Sequence, residues 1–329
     1  MNPLISVIIP NHNGEKTISH CLEAAYGSTY DNFEVIVVDD CSADTSVSII
    51  EPYPCRLLKL KEHGGASKAR NTGAKNSNGE ILFFIDADCL VQPGTLSIVA
   101  SAYHQCGPDV VIGGTYTLMP FDRHFFSIFQ SVFIHCAETK SPENPDYIAT
   151  HAMVIAIGLF KTIGGFDEHF MPILEDVEFS HRLKKKGYRL RLDPTILVQH
   201  IFNFNLLKSL QNGFKKSKYW TRYSIANKDL LSDSGTASQG LKFNVVSCFL
   251  SLFLLLSAIA LGLAYLAVPI LLLLAANLLL NRNLIQAFYT TKGLGFTVLA
   301  VLYYTILYPF AVGMGALNGI IDHLCGPAL

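Results

Sequence analysis

Asp86 and Asp88 stand two residues apart, directly after the apolar run Ile81-Leu-Phe-Phe-Ile85. Carboxylates so placed suit a hard divalent cation such as Mg²⁺ or Mn²⁺, which takes one or two carboxylates together with substrate phosphates. Further along, Glu175 and Asp176 open a helical pattern that closes at Gly187. The helix dipole favours acids in that first turn, and a carboxylate there can serve as a general base. A third candidate is His63-Gly-Gly-Ala-Ser-Lys-Ala-Arg-Asn-Thr-Gly73, a glycine turn running into a helix that carries Lys68 and Arg70. Such a helix start can hold an anion.

These residues need a scaffold. Ile5-Ser-Val-Ile-Ile9, Phe33-Glu-Val-Ile-Val-Val38 and Ile81–Ile85 read as buried strands. Each ends in polar residues: Asn11 and Asn13 after Pro10, Asp39 with Asp40, and Asp86 with Asp88. A helical stretch with Ile18, Cys21, Leu22 and Ala25 on one face separates the first two. Alternating strands and helices predict an α/β fold, a mostly parallel sheet with helices on both faces. Ligands of such sheets bind at the carboxyl ends of the strands, where all three polar clusters fall. No G-x-G-x-x-G follows the first strand and no G-x-x-x-x-G-K-[ST] occurs, which argues against a dinucleotide fingerprint and a P-loop.

Charge is distributed unevenly. The net charge is −1, with no basic excess of the kind a nucleic-acid binder needs, so no nucleic-acid partner is expected. From Phe243 to Leu329 the chain holds only Arg282, Lys292 and Asp322 of its 25 Lys/Arg and 26 Asp/Glu. The expected organisation is a soluble domain over 1–202, a basic and aromatic juxtamembrane segment over 203–242, and a transmembrane region over 243–329. Three α-helical spans are expected at about 244–264, 267–281 and 295–321, with the hairpin turn near Tyr265–Pro269. Seven Lys/Arg between Lys208 and Lys242, with Arg282 and Lys292, predict that the soluble domain faces the cytoplasm. The opening MNPLISVIIP lacks a basic n-region, consistent with that side. The eight Cys form no CxxC pair and no zinc-type cluster, as for scattered thiols in a reducing compartment.

The soluble part resembles the inverting family 2 glycosyltransferases of the GT-A fold. The resemblance rests on Ser6–Pro10 with Asn13, Val35–Asp40 with Ser42, Gly65–Gly73, Phe84–Asp88, Gly164–Glu168, and Glu175-Asp176 with Arg182 and Gly187. It implies a nucleotide diphosphate-sugar donor, with Asp40 and Asp39 at the base or ribose and Pro10 and Asn13 lining the same pocket. Asp88 would ligate Mg²⁺ or Mn²⁺, with His200 meeting the metal or diphosphate. Asp86 would contact ribose or metal, Arg70 would lie near the diphosphate, and Asp176 would be the base. The processive synthases of the family carry Gln-x-x-Arg-Trp beyond the base; here Trp220 follows Lys218-Tyr219 without that motif. The resemblance therefore implies a non-processive enzyme at a cell inner or plasma membrane, using a lipid-associated hydroxyl or a polyprenyl phosphate as acceptor. Glu175, Trp220 and Phe129, the last on the stripe Phe125/Phe129/Phe133, are candidates for the acceptor side. The competing reading is a non-catalytic nucleotide-sugar-binding membrane subunit.

Overall fold

The structure is a computed structural model that describes residues 2–170 and 172–325. The last four residues of the expected membrane region lie outside these. In chain order the elements are β1 (Ile5–Asn11), α1 (Ile18–Tyr26), β2 (Phe33–Asp39), α2 (Ser46–Ile50), β3 (Arg56–Lys59), α3 (Gly65–Lys75), β4 (Ile81–Phe84), β5 (Cys89–Val91), α4 (Thr95–Cys106), β6 (Val110–Tyr116), α5 (Phe125–Glu138), β7 (Met153–Ala156), α6 (Ile157–Ile163), α7 (Glu175–Lys185), β8 (Arg189–His200), α8 (Leu206–Asn227), α9 (Gln239–Leu261), α10 (Ala267–Leu280), α11 (Arg282–Leu302) and α12 (Tyr308–Cys325). The chain divides into two compact units, Met1–Asp122 with Glu138–Phe202, and Arg123–Ala137 with Asn203–Leu329.

The first unit is built on one mixed sheet of order β3-β2-β1-β4-β7-β6-β8-β5. The four strands β3-β2-β1-β4 are mutually parallel, as the buried apolar runs required. β7 runs antiparallel to both β4 and β6, while β6 and β8 are parallel. The half-sheet beyond β4 escapes simple periodicity because its strands are short or interrupted. β5 has three residues, and β8 carries Pro194 beside the register shift between Gly113 and Thr115 of β6. The pairing of β5 with β8 is antiparallel, with Cys89 opposite His200. That register carries His200 from a distant part of the chain to the residue following Asp88.

The second unit is helical. α8 and α12 pack backbone to backbone: a Cβ on Gly315 would lie 2.3 Å from the Phe214 carbonyl oxygen, and one on Gly319 2.3 Å from that of Lys218. Small residues four apart permit that approach. Lys218 also pairs with Asp322 at 2.8 Å. α9 ends at Gly262, which takes a left-handed conformation, and the chain reverses so that Asn277 of α10 faces Asn244 of α9.

A closed ring of hydrogen bonds ties these apolar helices together. Tyr304 Oη donates to Asn281 (3.0 Å), Asn281 to Asn277 Oδ1 (2.8 Å), Asn277 to Asn244 Oδ1 (2.6 Å), and Asn244 to the Tyr304 carbonyl (2.7 Å). Tyr304 lies in the π-helical turn Tyr303–Leu307, where the shifted backbone pattern leaves a carbonyl for Asn244. All four side chains are buried.

Two helical stretches are long and apolar enough to cross a membrane, Gln239–Leu261 and the 44-residue run Arg282–Cys325. The second is broken at Gly293, whose φ is +75°. The expected middle span is shorter than its counterparts. α10 has 14 residues, which is about 21 Å of helix against a hydrocarbon core of about 30 Å. Phe129 is fully buried, stacked on Phe288 (5.4 Å between centroids) and edge-on to Tyr303 (4.8 Å) and Tyr308 (5.6 Å). This corrects the acceptor-side expectation, because a ring enclosed by aromatic neighbours in a helical core has no face left for a ligand. Its replacement by Ser should act as a folding lesion of the size of other large core truncations, about 3–5 kcal/mol.

Asn277→Ala should destabilise the helical unit by about 1–3 kcal/mol, because Asn244 Oδ1 and Asn281 lose their buried partners. Denaturation of the detergent-solubilised protein, followed by circular dichroism, measures this. An unchanged midpoint would show that the ring contributes nothing.

Candidate active site

A buried guanidinium organises the site. Arg70, on α3 and 3% exposed, donates to Glu175 Oε1 at 2.6 Å and to Asp86 Oδ1 at 2.7 Å. It thereby joins the end of β4 to the first turn of α7. Burial alone would lower its pKa, but Asp86 and Glu175 outweigh this and raise it. Burial likewise pushes Asp86 up, but Arg70 and His151 hold its carboxyl below the ordinary range. Arg70 has both terminal nitrogens engaged within the protein, on the carboxylates of Asp86 and Glu175. Glu175 Oε1 is held by that same guanidinium.

The neighbouring motif residues lock this arrangement. Asn71 donates to the Phe166 carbonyl (2.8 Å) and to Glu168 (2.9 Å), and accepts from the Phe166 amide (2.9 Å). Arg182 donates to the carbonyls of Ile163 (2.9 Å) and Gly165 (2.8 Å). Gly165 has φ +72°, and a Cβ there would lie 2.6 Å from Asn71 Oδ1, so the loop admits only glycine. Leu174, just before Glu175, is held at φ 75°. A bulky residue there costs of order 1–3 kcal/mol, a strain found where a fold fixes functional groups. Asp176 follows, half-buried, with Oδ1 accepting from the Val177 amide at 2.8 Å.

Asp88 and His200 meet as the strand register requires, Nε2 lying 3.4 Å from Oδ1. The Asp88 carboxyl is 39% exposed. Burial raises its pKa and the nearby Asp86 adds to this, against the opposing pull of His200. Cys89 Sγ also lies near, 3.8 Å from Asp88 Oδ1, but burial pushes that thiol well above its ordinary pKa and it stays protonated at neutral pH. One carboxylate and one imidazole with an open side fit a divalent cation that fills its other positions with phosphate oxygens or water. A cation there would relieve the crowding of the two carboxylates.

Asp39 and Asp40 are both held by donors from the protein itself. Asp39, 4% exposed, accepts from Asn11 Nδ2 (2.8 Å), Ser42 Oγ (2.6 Å) and the Ser42 amide (3.1 Å). Asp40, 3% exposed, accepts from the amides of Gly64 (2.7 Å) and Gly65 (2.8 Å) at the start of α3. Both carboxylates therefore shape the floor at the ends of β1 and β2, because unpaired amides at a helix start compete for any nearby carboxylate. Asn13, exposed and at φ 53°, accepts from the Ala43 amide at 2.8 Å. Pro10 is half-buried beside it in sequence. Trp220 belongs to the helical unit, where it lines an apolar cavity of about 310 Å³ with Leu241, Val245 and Val312 and with Lys216 and Lys242.

Sequence reasoning did not find His151 and Glu138. His151 Nε2 lies 3.4 Å from Glu138 Oε2, and its ring stacks on Tyr116 at 4.0 Å. Burial would lower the His151 pKa, but Glu138 outweighs it, aided by Asp86 and Asp176. The only sequence signal is a lone His before an apolar strand, which rarely distinguishes itself from a core residue.

Residues 6–154 match the model for glycosyl transferase family 2, and residues 81–313 match that for glycosyl transferase family group 2. The glycosyltransferase GlyG of Streptococcus pneumoniae is 33% identical over 131 residues, 38% of this chain and 44% of GlyG. AglE of Haloferax volcanii is 28% identical over 205 residues, 60% of this chain and 67% of that protein. The chain thus spans about half to two thirds of these relatives. The mannosyltransferase PcManGT of Pyrobaculum calidifontis, solved with GDP-Man and Mn²⁺, superposes with a TM-score of 0.59 at 18% identity, covering 99% of this chain and 88% of that one. That likeness shows the GT-A type of fold.

Arg70→Met should destabilise the protein by about 3–5 kcal/mol, because Asp86 and Glu175 keep their charges without a partner. Urea denaturation of the two proteins side by side measures this. His151 makes a pH-dependent contribution. Its folded pKa is raised, so the stabilisation is complete below about 6.5 and is lost as pH rises through the raised value. In EDTA, the melting-temperature gap between wild type and His151→Gln should therefore be larger at pH 6 than at pH 8.5; an equal gap would mean that His151 does not ionise in this range. With the buried Arg70 bridge, the Asp88–His200 pair and the family matches together, the chain belongs to the family 2 glycosyltransferases.

Proposed function

We propose that the protein is a membrane-anchored, non-processive, inverting glycosyltransferase that moves a sugar from a nucleotide diphosphate-sugar to a lipid-associated acceptor. The observation that carries this reading is the Arg70 bridge, which brings the first turn of α7, and with it Asp176, to the end of β4 where Asp86 and Asp88 stand. Asp88 and His200 would hold Mg²⁺ or Mn²⁺, which supplies charge neutralisation for the departing nucleotide diphosphate. Asp86, fixed in ionised form by Arg70, faces the donor from the same strand end. Pro10, near the end of β1, and Asn13, on the loop after it, would border the nucleotide, over the floor made by Asp39 and Asp40. Asp176 takes the proton of an acceptor hydroxyl.

A retaining double displacement needs a second, nucleophilic carboxylate, by the logic of glycosidase geometry. Glu175 is held by Arg70 at 2.6 Å, so it is not available for that task. Direct displacement with inversion, with Asp176 as the base, is the reading this contact supports. The lipid-associated acceptor is supported by the two long apolar helices and by the cavity lined by Trp220, Lys216 and Lys242. The many exposed apolar residues of α9 and α10, among them Leu255, Ile259, Leu271 and Leu272, suit a bilayer. The basic residues near that anchor support a catalytic unit on the cytoplasmic face of the cell or inner membrane.

With a hydroxyl acceptor, Asp176→Asn should lower the transfer rate about 10²–10⁴-fold while leaving donor binding within a few-fold of wild type. Transfer from a panel of nucleotide sugars to membrane lipids, assayed with Mn²⁺, reads both parameters. Near-normal turnover would exclude Asp176 as the base and direct attention to an acceptor that is already anionic, such as a polyprenyl phosphate. Failure to cleave any donor in Mn²⁺ or Mg²⁺ would instead favour a non-catalytic subunit.

A further inference from the structure

The loop after β1, the residue after β2 and the turn before α3 bring together His12, Asp40 and His63, and the proposed reaction uses neither imidazole. One ligand atom from each residue lies within 4.8 Å of the other two. His63 Nδ1 is 3.0 Å from Asp40 Oδ2, and His12 Nδ1 is 2.7 Å from the Asp40 carbonyl oxygen. The two rings lie 4.6 Å apart between centroids, tilted by 44°. Both histidines are exposed, whereas the carboxylate between them is buried and fixed by the amides of Gly64 and Gly65.

That is a donor set of two nitrogens and one oxygen on an immobilised base. Two ligands bound tetrahedrally to Zn²⁺ at about 2.0–2.2 Å stand roughly 3.3–3.6 Å apart, so His63 Nδ1 and Asp40 Oδ2, now 3.0 Å apart, need to separate by only a few tenths of an ångström. The two backbone amides act as the outer shell that orients a ligating carboxylate. Imidazole donors favour Zn²⁺, Co²⁺ and Ni²⁺ over Mg²⁺, so the set differs in preference from an oxygen-rich catalytic centre.

We propose that His12, Asp40 and His63 form a second metal site, selective for a Zn²⁺-class ion and independent of Asp88 and His200. Water completes the coordination on the exposed side. His12 is the weaker ligand. Its Nδ1 faces the Asp40 carbonyl and its Nε2 lies 3.0 Å from the Asn13 side-chain nitrogen. Ligation through Nε2 requires the exposed Asn13 amide to turn away, and ligation through Nδ1 requires in addition that the ring proton move to Nε2.

The test uses the full chain in detergent, stripped with EDTA and titrated with Zn²⁺ by calorimetry and with Co²⁺ by visible absorption, without nucleotide. His200→Ala should keep a Zn²⁺ site, with a Co²⁺ spectrum of nitrogen–oxygen ligation. His12→Ala combined with His63→Ala should bind one ion fewer per chain than wild type, or bind it at least tenfold more weakly. His63→Gln, which retains a hydrogen bond to Asp40, should melt in EDTA as wild type does, yet lose most of the Zn²⁺-induced rise in melting temperature. Zn²⁺ binding that disappears in His200→Ala and persists in the His12/His63 double variant would overturn the proposal. Undiminished Zn²⁺ binding in His63→Gln would do the same, whatever the stability of the alanine variants.

Discussion

The site depends on one buried cation. Arg70 is enclosed, carries a charge that cannot be discharged, and satisfies two carboxylates from elements far apart in sequence. Removing two anions and a guanidinium from water is tolerable only if all three meet. That constraint fixes the distance between the end of β4 and the start of α7. The remaining motif residues serve it. Asn71 and Arg182 hold the Gly164–Glu168 loop by its backbone, and the strained Leu174 sets the direction in which α7 begins. Much of what marks the chain as a family member is therefore framework. The residues proposed to act on substrate, Asp86, Asp88 with His200, and Asp176, stand on that framework.

The helical unit solves a different problem. Apolar helices gain little by packing against one another when the alternative surroundings are also apolar, so close backbone approach and polar contacts must specify them. Gly315 and Gly319 supply the first on α12 against α8. The Asn244–Asn277–Asn281–Tyr304 ring supplies the second, and it closes on the carbonyl that the π turn leaves available. A ring in which each donor has an acceptor fixes the register of the helices around it, whereas a half-satisfied one would be a liability.

Some of this was legible from residues alone. The apolar runs of β1, β2 and β4 announced a parallel core, and the polar residues ending them marked the crevice side. Asp86, Asp88 and Asp176 were identifiable by position relative to a strand end or a helix start. The stretch from Phe243 onward, with three charged side chains, stood apart from an ordinary polar domain. The second half of the sheet was not legible, because three-residue and interrupted strands carry no usable period. Phe129 was read as a ligand-facing stripe because a helical pattern shows which residues share a face but not what covers it.

The sequence by itself determined which elements form and which chemical groups stand at their ends, since both follow from local periodicity and side-chain type. Only the tertiary structure decided which of those groups remain free. Asp39, Glu175 and Arg70 have the chemistry of ligand-binding residues, yet a buried amide, hydroxyls and opposing charges engage them. His200 becomes a partner of Asp88 through a single antiparallel register. The physical reason is the same in each case. A polar group removed from water takes whatever partner the packing delivers, and that partner is set by contacts among residues dozens of positions apart.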